Sequence, residues 1–122
     1  MPKFNFVLFY VENPPASAKF YAELLGRQAV ETTPAFAMLQ LSDGVMLGLW
    51  SKDTCVPKPA GAPGASEIAF AVADAEAVYS THQAWTKQGL TIAQEPATMD
   101  FGPTFVALDP DGHRLRVLVP GG

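Results

Sequence analysis

Few side chains in this sequence have the types and spacing for bond-making chemistry. There are two His and one Cys, and the acids and bases form no cluster. A metal site needs several His, Cys or carboxylate donors converging on one ion, commonly announced by short fixed spacings. His82 lies inside a helical pattern with no second His or Cys nearby, and His113 follows a tight turn. Both read as structural, with His113 pointing to a helix-packed side or to solvent. Cys55 stands in a proline-rich stretch with no His placed to activate it, which gives no support for a thiolate nucleophile. No CxxC pair, Ser-centred elbow or phosphate-cradling glycine loop occurs. The chain offers flat and polarisable surface instead: Phe6, Tyr10, Phe36, Met38, Met46 and Trp50, accompanied by the ions Glu67 and Arg116. Such side chains stack on and enclose a planar apolar molecule.

Composition narrows the classes further. The 122 residues suffice for one ordinary domain. Hydrophobic residues make up 48% and charged residues 16%, against roughly 25% charged in an average domain, so disorder is excluded for the chain as a whole. A net charge of −4 with no Lys/Arg cluster argues against nucleic acid as a partner. The longest wholly apolar run is six residues, against roughly 20 for a spanning helix, so no membrane partner is expected. The opening Met-Pro-Lys-Phe-Asn lacks a secretory apolar region, and the expected location is cytoplasmic. A single cysteine has no internal disulfide partner.

Strand and helix signals alternate. Residues 4–11 read as a buried strand. Asn13 then caps a helix that carries Pro14 and Pro15 in its first turn and stops at Gly26. Strands follow near 28–33, 35–41 and 45–50, the last two joined at Asp43-Gly44, a hairpin signal. Residues 52–65, with three Pro and two Gly, form a linker. The same order then restarts: strand 66–73, a helix from the Asp74 cap to about Gln88 with Gly89 as stop, and strands near 91–95, 103–108 and 113–119. The repeat has a register. Asn13 falls on Asp74, 61 residues later, and Asp43-Gly44 on Asp111-Gly112, 68 residues later. The expected organisation is therefore a first βαβββ module at 1–51, the linker at 52–65 and a second module at 66–122, of class α+β. Each half alone buries too little surface, so the two halves are expected to share one sheet or to pair with a second subunit.

Alternation along strands assigns faces. Val45, Leu47 and Leu49, together with Leu115, Val117 and Val119, form uniformly aliphatic rows suited to packing on helices. The opposite rows are Phe6, Leu8, Tyr10; Phe36, Met38, Gln40; Met46, Gly48, Trp50; Glu67, Ala69, Ala71; and Arg114, Arg116, Leu118. Two readings stay open for them: a ligand cavity, or a second packed face closed by a partner.

The run Val11-Glu12-Asn13-Pro14-Pro15 through Phe20-Tyr21 to Leu25-Gly26, the duplicated βαβββ order, and Asp109-Pro110-Asp111-Gly112-His113 together resemble the vicinal oxygen chelate superfamily. That group includes glyoxalase I, extradiol dioxygenases and the bleomycin-resistance binding proteins, and the resemblance implies curved, cup-shaped mixed sheets with helices on the outer face. Leu49-Trp50-Ser51, Ser66-Glu67-Ile68, Trp85-Thr86-Lys87-Gln88, Glu95-Pro96, Phe101 to Phe105 and Asp109 to Val117 resemble phenazine-antibiotic resistance members. Enzymes of the group hold a divalent metal with one side chain on each of four cup-facing strands. Matched by motif, those positions here are Phe6, Gly48, Glu67 and Arg116, a set that does not hold a catalytic metal. The resemblance also implies a stacking Trp at Trp50 and a loop that closes over ligands at Asp100-Phe101-Gly102.

The expectation is thus a protein without metal or other cofactor, a homodimer, binding a small planar aromatic, antibiotic-like compound. Trp50, Phe6, Tyr10, Phe36, Met38, Met46, Phe101, Asp100, Glu67 and Arg116 are its candidate contacts, and no residue is assigned a catalytic role. Glu67 and Arg116 are expected to lie close together, as an ion pair that fixes the sheet or as a polar contact for the ligand. The competing reading is a glyoxalase- or dioxygenase-like enzyme with an atypical metal site.

Overall fold

The structure is a computed structural model that describes residues 2–120. The chain divides into two compact units, Met1–Pro63 and Gly64–Gly122. The first runs β1 (Phe6–Val11), α1 (Pro14–Leu25), β2 (Ala29–Thr32), β3 (Phe36–Ser42) and β4 (Val45–Ser51). Its sheet has the order β1-β4-β3-β2, with β1 parallel to β4 and the other pairs antiparallel. The second unit repeats this with β5 (Glu67–Ala71), α2 (Ala75–Lys87), β6 (Thr91–Met99), β7 (Gly102–Leu108) and β8 (Arg114–Leu118), in the order β5-β8-β7-β6. The fold is α+β: two similar βαβββ modules, each an unclosed four-stranded mixed sheet with one helix.

Local chemistry sets the element ends. The Asn13 side chain accepts from the Ala16 N–H at 3.1 Å, Pro14 and Pro15 occupy the first helical positions, and Gly26 closes α1 in the left-handed region at φ 65°. Asp74 caps α2 by accepting from the Ala77 N–H at 2.9 Å, and Glu76 lies in its first turn, where the helix dipole favours an acid. The helix ends at Lys87, with Gln88 as its cap and Gly89 beyond it.

Parity along the strands separates the faces as the alternation requires. In the first unit Phe9, Val11, Ala37, Leu39, Leu47 and Leu49 are buried with Ala18 and Tyr21 of α1. In the second, Leu115, Val117 and Phe105 are buried with Val78 and Trp85 of α2, and the Phe105 ring meets Trp85 edge-on at 5.5 Å. His82 belongs to this core. Its ring stands edge-on to Phe105 at 5.2 Å, and Nε2 contacts Glu95 Oε1 at 2.9 Å outside good hydrogen-bond geometry. Among the described residues, no helix is long and apolar enough to cross a membrane.

Three sequence expectations need correction. The first strand, expected as buried over 4–11, runs Phe6–Val11 and buries only Phe9 and Val11, because its other face is not covered by α1. The strand beginning at Thr91 does not stop at 95 but runs nine residues to Met99, so the expected ligand-closing loop is a tight turn at Asp100 and Phe101. Pro96 sits inside this strand because β6 is an edge, where a missing N–H breaks no ladder on its open side. The strand expected at 66–73 is shorter, Glu67–Ala71.

The β7–β8 turn sets the register of Arg116. Buried Asp109 accepts from the N–H groups of Asp111 at 2.9 Å and His113 at 2.8 Å, and Gly112 takes φ 88°. The His113 ring is buried against Ser66 through an Oγ–Nδ1 hydrogen bond, tying the chain before β5 to the chain before β8. Asp109→Ala removes the acceptor for a buried N–H and is expected to lower stability by about 1–3 kcal/mol. Asp109→Asn keeps an oxygen there and loses less. Urea unfolding of the two variants checks both values.

Candidate functional site

In the first unit the face away from α1 carries an open groove of about 460 Å³ lined by Phe6, Leu8, Glu31, Phe36 and Trp50. Its floor follows from the register. Leu8 is opposite Gly48, Gly48 opposite Met38, and Met38 opposite Glu31, so one row crosses all four strands. A Cβ on Gly48 would lie 2.6 Å from both Leu8 Cδ2 and Phe6 Cε1, and 3.2 Å from Phe36 Cε1. Three apolar side chains therefore converge over the backbone of β4 in space that any other residue would fill. Trp50 stands edge-on to Phe36, with centroids 6.2 Å apart and planes at 90°. Phe6 and Leu8 remain 38% and 44% exposed, which leaves the wall of the groove wet and apolar.

Just beyond Trp50 the chain leaves β4 through Lys52. Its N–H donates to the Val11 carbonyl at 3.0 Å, and its ammonium meets Asp53 at 3.1 Å and Glu12 at 3.6 Å. The hydrogen bond and the charge of Asp53, followed by the charge of Glu12, raise the lysine's pKa above its ordinary value.

The corresponding row in the second unit is Ala69, Arg116, Val106 and Gln94. Arg116 stands where the first unit has Gly48, and its Nε and Nη1 are held by three side chains. Its Nε donates to Glu67 Oε2 at 2.9 Å, and its Nη1 to Thr104 Oγ1 at 3.2 Å and Gln94 Oε1 at 3.3 Å. The guanidinium also lies 5.9 Å from the Phe101 ring centroid, within cation–π range. Gln94 in turn donates to Met99 Sδ at 3.3 Å. Arg114 approaches Glu67 only at 3.9 Å and is largely exposed. Smaller cavities of about 350 and 390 Å³ flank this network.

The structure thus brings Phe6, Phe36 and Trp50 together in one groove, and Glu67, Arg116 and Phe101 together in one polar cluster. Tyr10 lies beside Trp50 across the β1–β4 ladder, Met46 lies beside Phe6, and Met38 lies in the floor row between Gly48 and Glu31. Asp100 is exposed in the turn next to Phe101.

Glu31, Gln94 and Thr104 went unread in the sequence. For the first two the reason is geometric. Ala29 opposes Leu39 of the buried row, and a bulge between Ala29 and Glu31 then sets Glu31 opposite Met38 on the groove face. A bulge between Ile92 and Gln94 likewise sets Gln94 opposite Val106, on the face of Arg116. An extra residue in an edge strand reverses which face a side chain occupies, and simple alternation misses it.

The residues where the resemblance places metal ligands do not fit an ion. Phe6 has no donor atom, Gly48 has no side chain and no room for one, and Glu67 is taken by a guanidinium. Among the described residues no group of three or more His, Cys, Asp or Glu side chains converges.

Glu67 has a side-chain exposure of 36% against 17% for Arg116, so water screens one end of the pair. Arg116→Met leaves the carboxylate free to turn to solvent. A double-mutant cycle with Glu67→Gln is expected to give a coupling of about 1 kcal/mol or less by urea unfolding.

Comparison with known proteins agrees with this architecture. Residues 3–117 match the model of the Glyoxalase/Bleomycin resistance protein/Dioxygenase superfamily. Over 116 residues the chain is 34% identical to the phenazine antibiotic resistance protein EhpR of Enterobacter agglomerans, covering 93% of this chain and 88% of that one. The solution structure of protein ATC0852 from Agrobacterium tumefaciens is 45% identical, covers both chains completely and superposes with a TM-score of 0.88. A glyoxalase/bleomycin resistance protein/dioxygenase from Nocardioides shares the fold at 21% identity and TM-score 0.81, covering 100% of this chain and 87% of its own. The chain belongs to the Glyoxalase/Bleomycin resistance protein/Dioxygenase superfamily.

Proposed function

We propose that this protein binds and sequesters a small planar aromatic compound of the antibiotic type, without a metal and without altering the compound. The observation that carries the reading is the apolar groove of Phe6, Leu8, Phe36 and Trp50, whose walls converge over the bare backbone of Gly48 and stay partly exposed. Similarity to a phenazine resistance protein supports the chemical class. A flat tricycle gains apolar burial against Phe6 and Leu8 and an aromatic contact with Trp50 worth about 0.5–1.5 kcal/mol beyond area. Sequestration needs no general base or nucleophile. It lowers the free concentration of the compound in proportion to the amount of protein.

The active form in this proposal is a cytoplasmic homodimer. The buried free thiol of Cys55 suits a reducing compartment. Exposed Tyr10, next to Trp50 across the β1–β4 ladder, gives a second copy apolar surface to cover beside the groove. Sedimentation of the full chain at micromolar concentration is the test of the dimer.

Titration with phenazine is expected to quench the fluorescence of Trp50 and to raise Tm, with a Kd in the micromolar range or below. Trp50→Ala weakens binding about tenfold, which corresponds to roughly 1.4 kcal/mol. Gly48→Ala pushes the tips of Phe6 and Leu8 outward; it keeps the fold but weakens binding at least as much. Ni, Zn, Mn or Fe(II) salts leave Tm and affinity unchanged. The reading fails if no planar aromatic in a broad panel binds, or if one of these metals stabilises the protein and is required for binding.

A further inference from the structure

Four of the five groove residues are apolar, and the fifth is a carboxylate. Glu31 is brought to the groove by the bulge that re-aims β2, and among the described residues no cation pairs with it. Arg27, which precedes β2, donates instead to Gln40 Oε1 at 2.8 Å. Of the two carboxylates expected as contacts, Asp100 is exposed in the β6–β7 turn and Glu67 is held by Arg116, whose guanidinium is distributed over Glu67, Gln94, Thr104 and Phe101. Among the residues that line the apolar groove the one charge is therefore negative. The rings around it act in the same direction, because the faces of Trp50, Phe6 and Phe36 carry the negative side of the aromatic quadrupole.

We infer that the groove selects planar aromatics carrying a cationic or N–H-rich substituent and discriminates against aromatic carboxylates, with Glu31 as the residue that sets this preference. The inference rests on the binding function proposed above and names the charge class of its ligand. The ring system lies against Phe6, Leu8, Phe36 and Trp50, and an ammonium on its edge meets Glu31 at the rim. Glu31 is exposed, so the attraction is that of a solvated pair assisted by the ring faces. It amounts to several-fold in affinity and weakens as salt rises.

Calorimetric titration of the full chain at low ionic strength with three matched probes tests this: phenazine, 1-(aminomethyl)phenazine and phenazine-1-carboxylate. The expected order is amine over neutral parent by about three- to tenfold, with the carboxylate weakest. Glu31→Gln should bring the amine to the level of the parent phenazine measured on the same variant, and Glu31→Lys should invert the order. About 0.5 M NaCl should compress the wild-type differences. If phenazine binds but the carboxylate binds as tightly as the amine, or if Glu31→Gln leaves the preference intact, the inference is overturned and the binding function stands. If none of the three probes binds, both fall.

Discussion

A missing side chain at one position of β4 decides what the first unit's open face is. Gly48 lies in the middle of a buried strand, where glycine ordinarily weakens a sheet. Here its lack of a Cβ lets Leu8, Phe6 and Phe36 close over the backbone at distances no other residue would allow. In the second unit the matching place, four residues past the turn glycine, holds Arg116. Its long side chain crosses the sheet to Glu67, Gln94 and Thr104. Two modules with the same element order thus present opposite kinds of surface, one apolar and concave, the other a closed polar network. The difference resides in the central strand of each sheet, because a central residue has neighbours on both sides and sets what they can do.

Much of this was legible in the sequence because it is governed by short-range rules. The Asn13 and Asp74 caps, the stop at Gly26 and the turns at Asp43-Gly44 and Asp109 to Gly112 depend on a handful of consecutive residues. Alternation in β4 and β8 separated Leu47, Leu49, Leu115 and Val117 from Met46, Trp50, Arg114 and Arg116 without any knowledge of partners. The Glu67–Arg116 contact was expected from the repeat and the resemblance, and the atoms lie at 2.9 Å. What escaped was information held between strands. Glu31 and Gln94 owe their faces to bulges, which are properties of a pairing register. The length of β6 was missed because Pro96 reads as a strand end unless the strand is known to be an edge. Met46 sits on the correct face but beside Phe6, outside the groove lining, since position within a face is invisible to alternation.

Membership of the superfamily fixes the fold and leaves the chemistry to the side chains it carries. At 21% identity the Nocardioides protein shares the architecture, and that likeness alone assigns no activity. Function has to be read from the motif-matched positions themselves. Phenyl, hydrogen, a guanidinium-bound carboxylate and the guanidinium itself bring no second donor to an ion, and the metal-based chemistry of the group has no foothold in such a set.

The open face of the first unit also distinguishes two kinds of occupant. A chain that needed only to fold would gain by placing polar residues at positions 6, 8 and 10, where Phe, Leu and Tyr are more than a third exposed. Something that covers this face recovers the apolar burial. A second protein chain laid flat over the groove would also bury Glu31, and a carboxylate desolvated without a cation is heavily penalised. A small planar molecule between Phe6, Phe36 and Trp50 takes the apolar walls out of water while leaving the rim carboxylate wet. On the function proposed above, the position of Glu31 at the edge strand keeps its carboxylate wet beside a small molecule in the groove, with a second copy of the chain seated beside it.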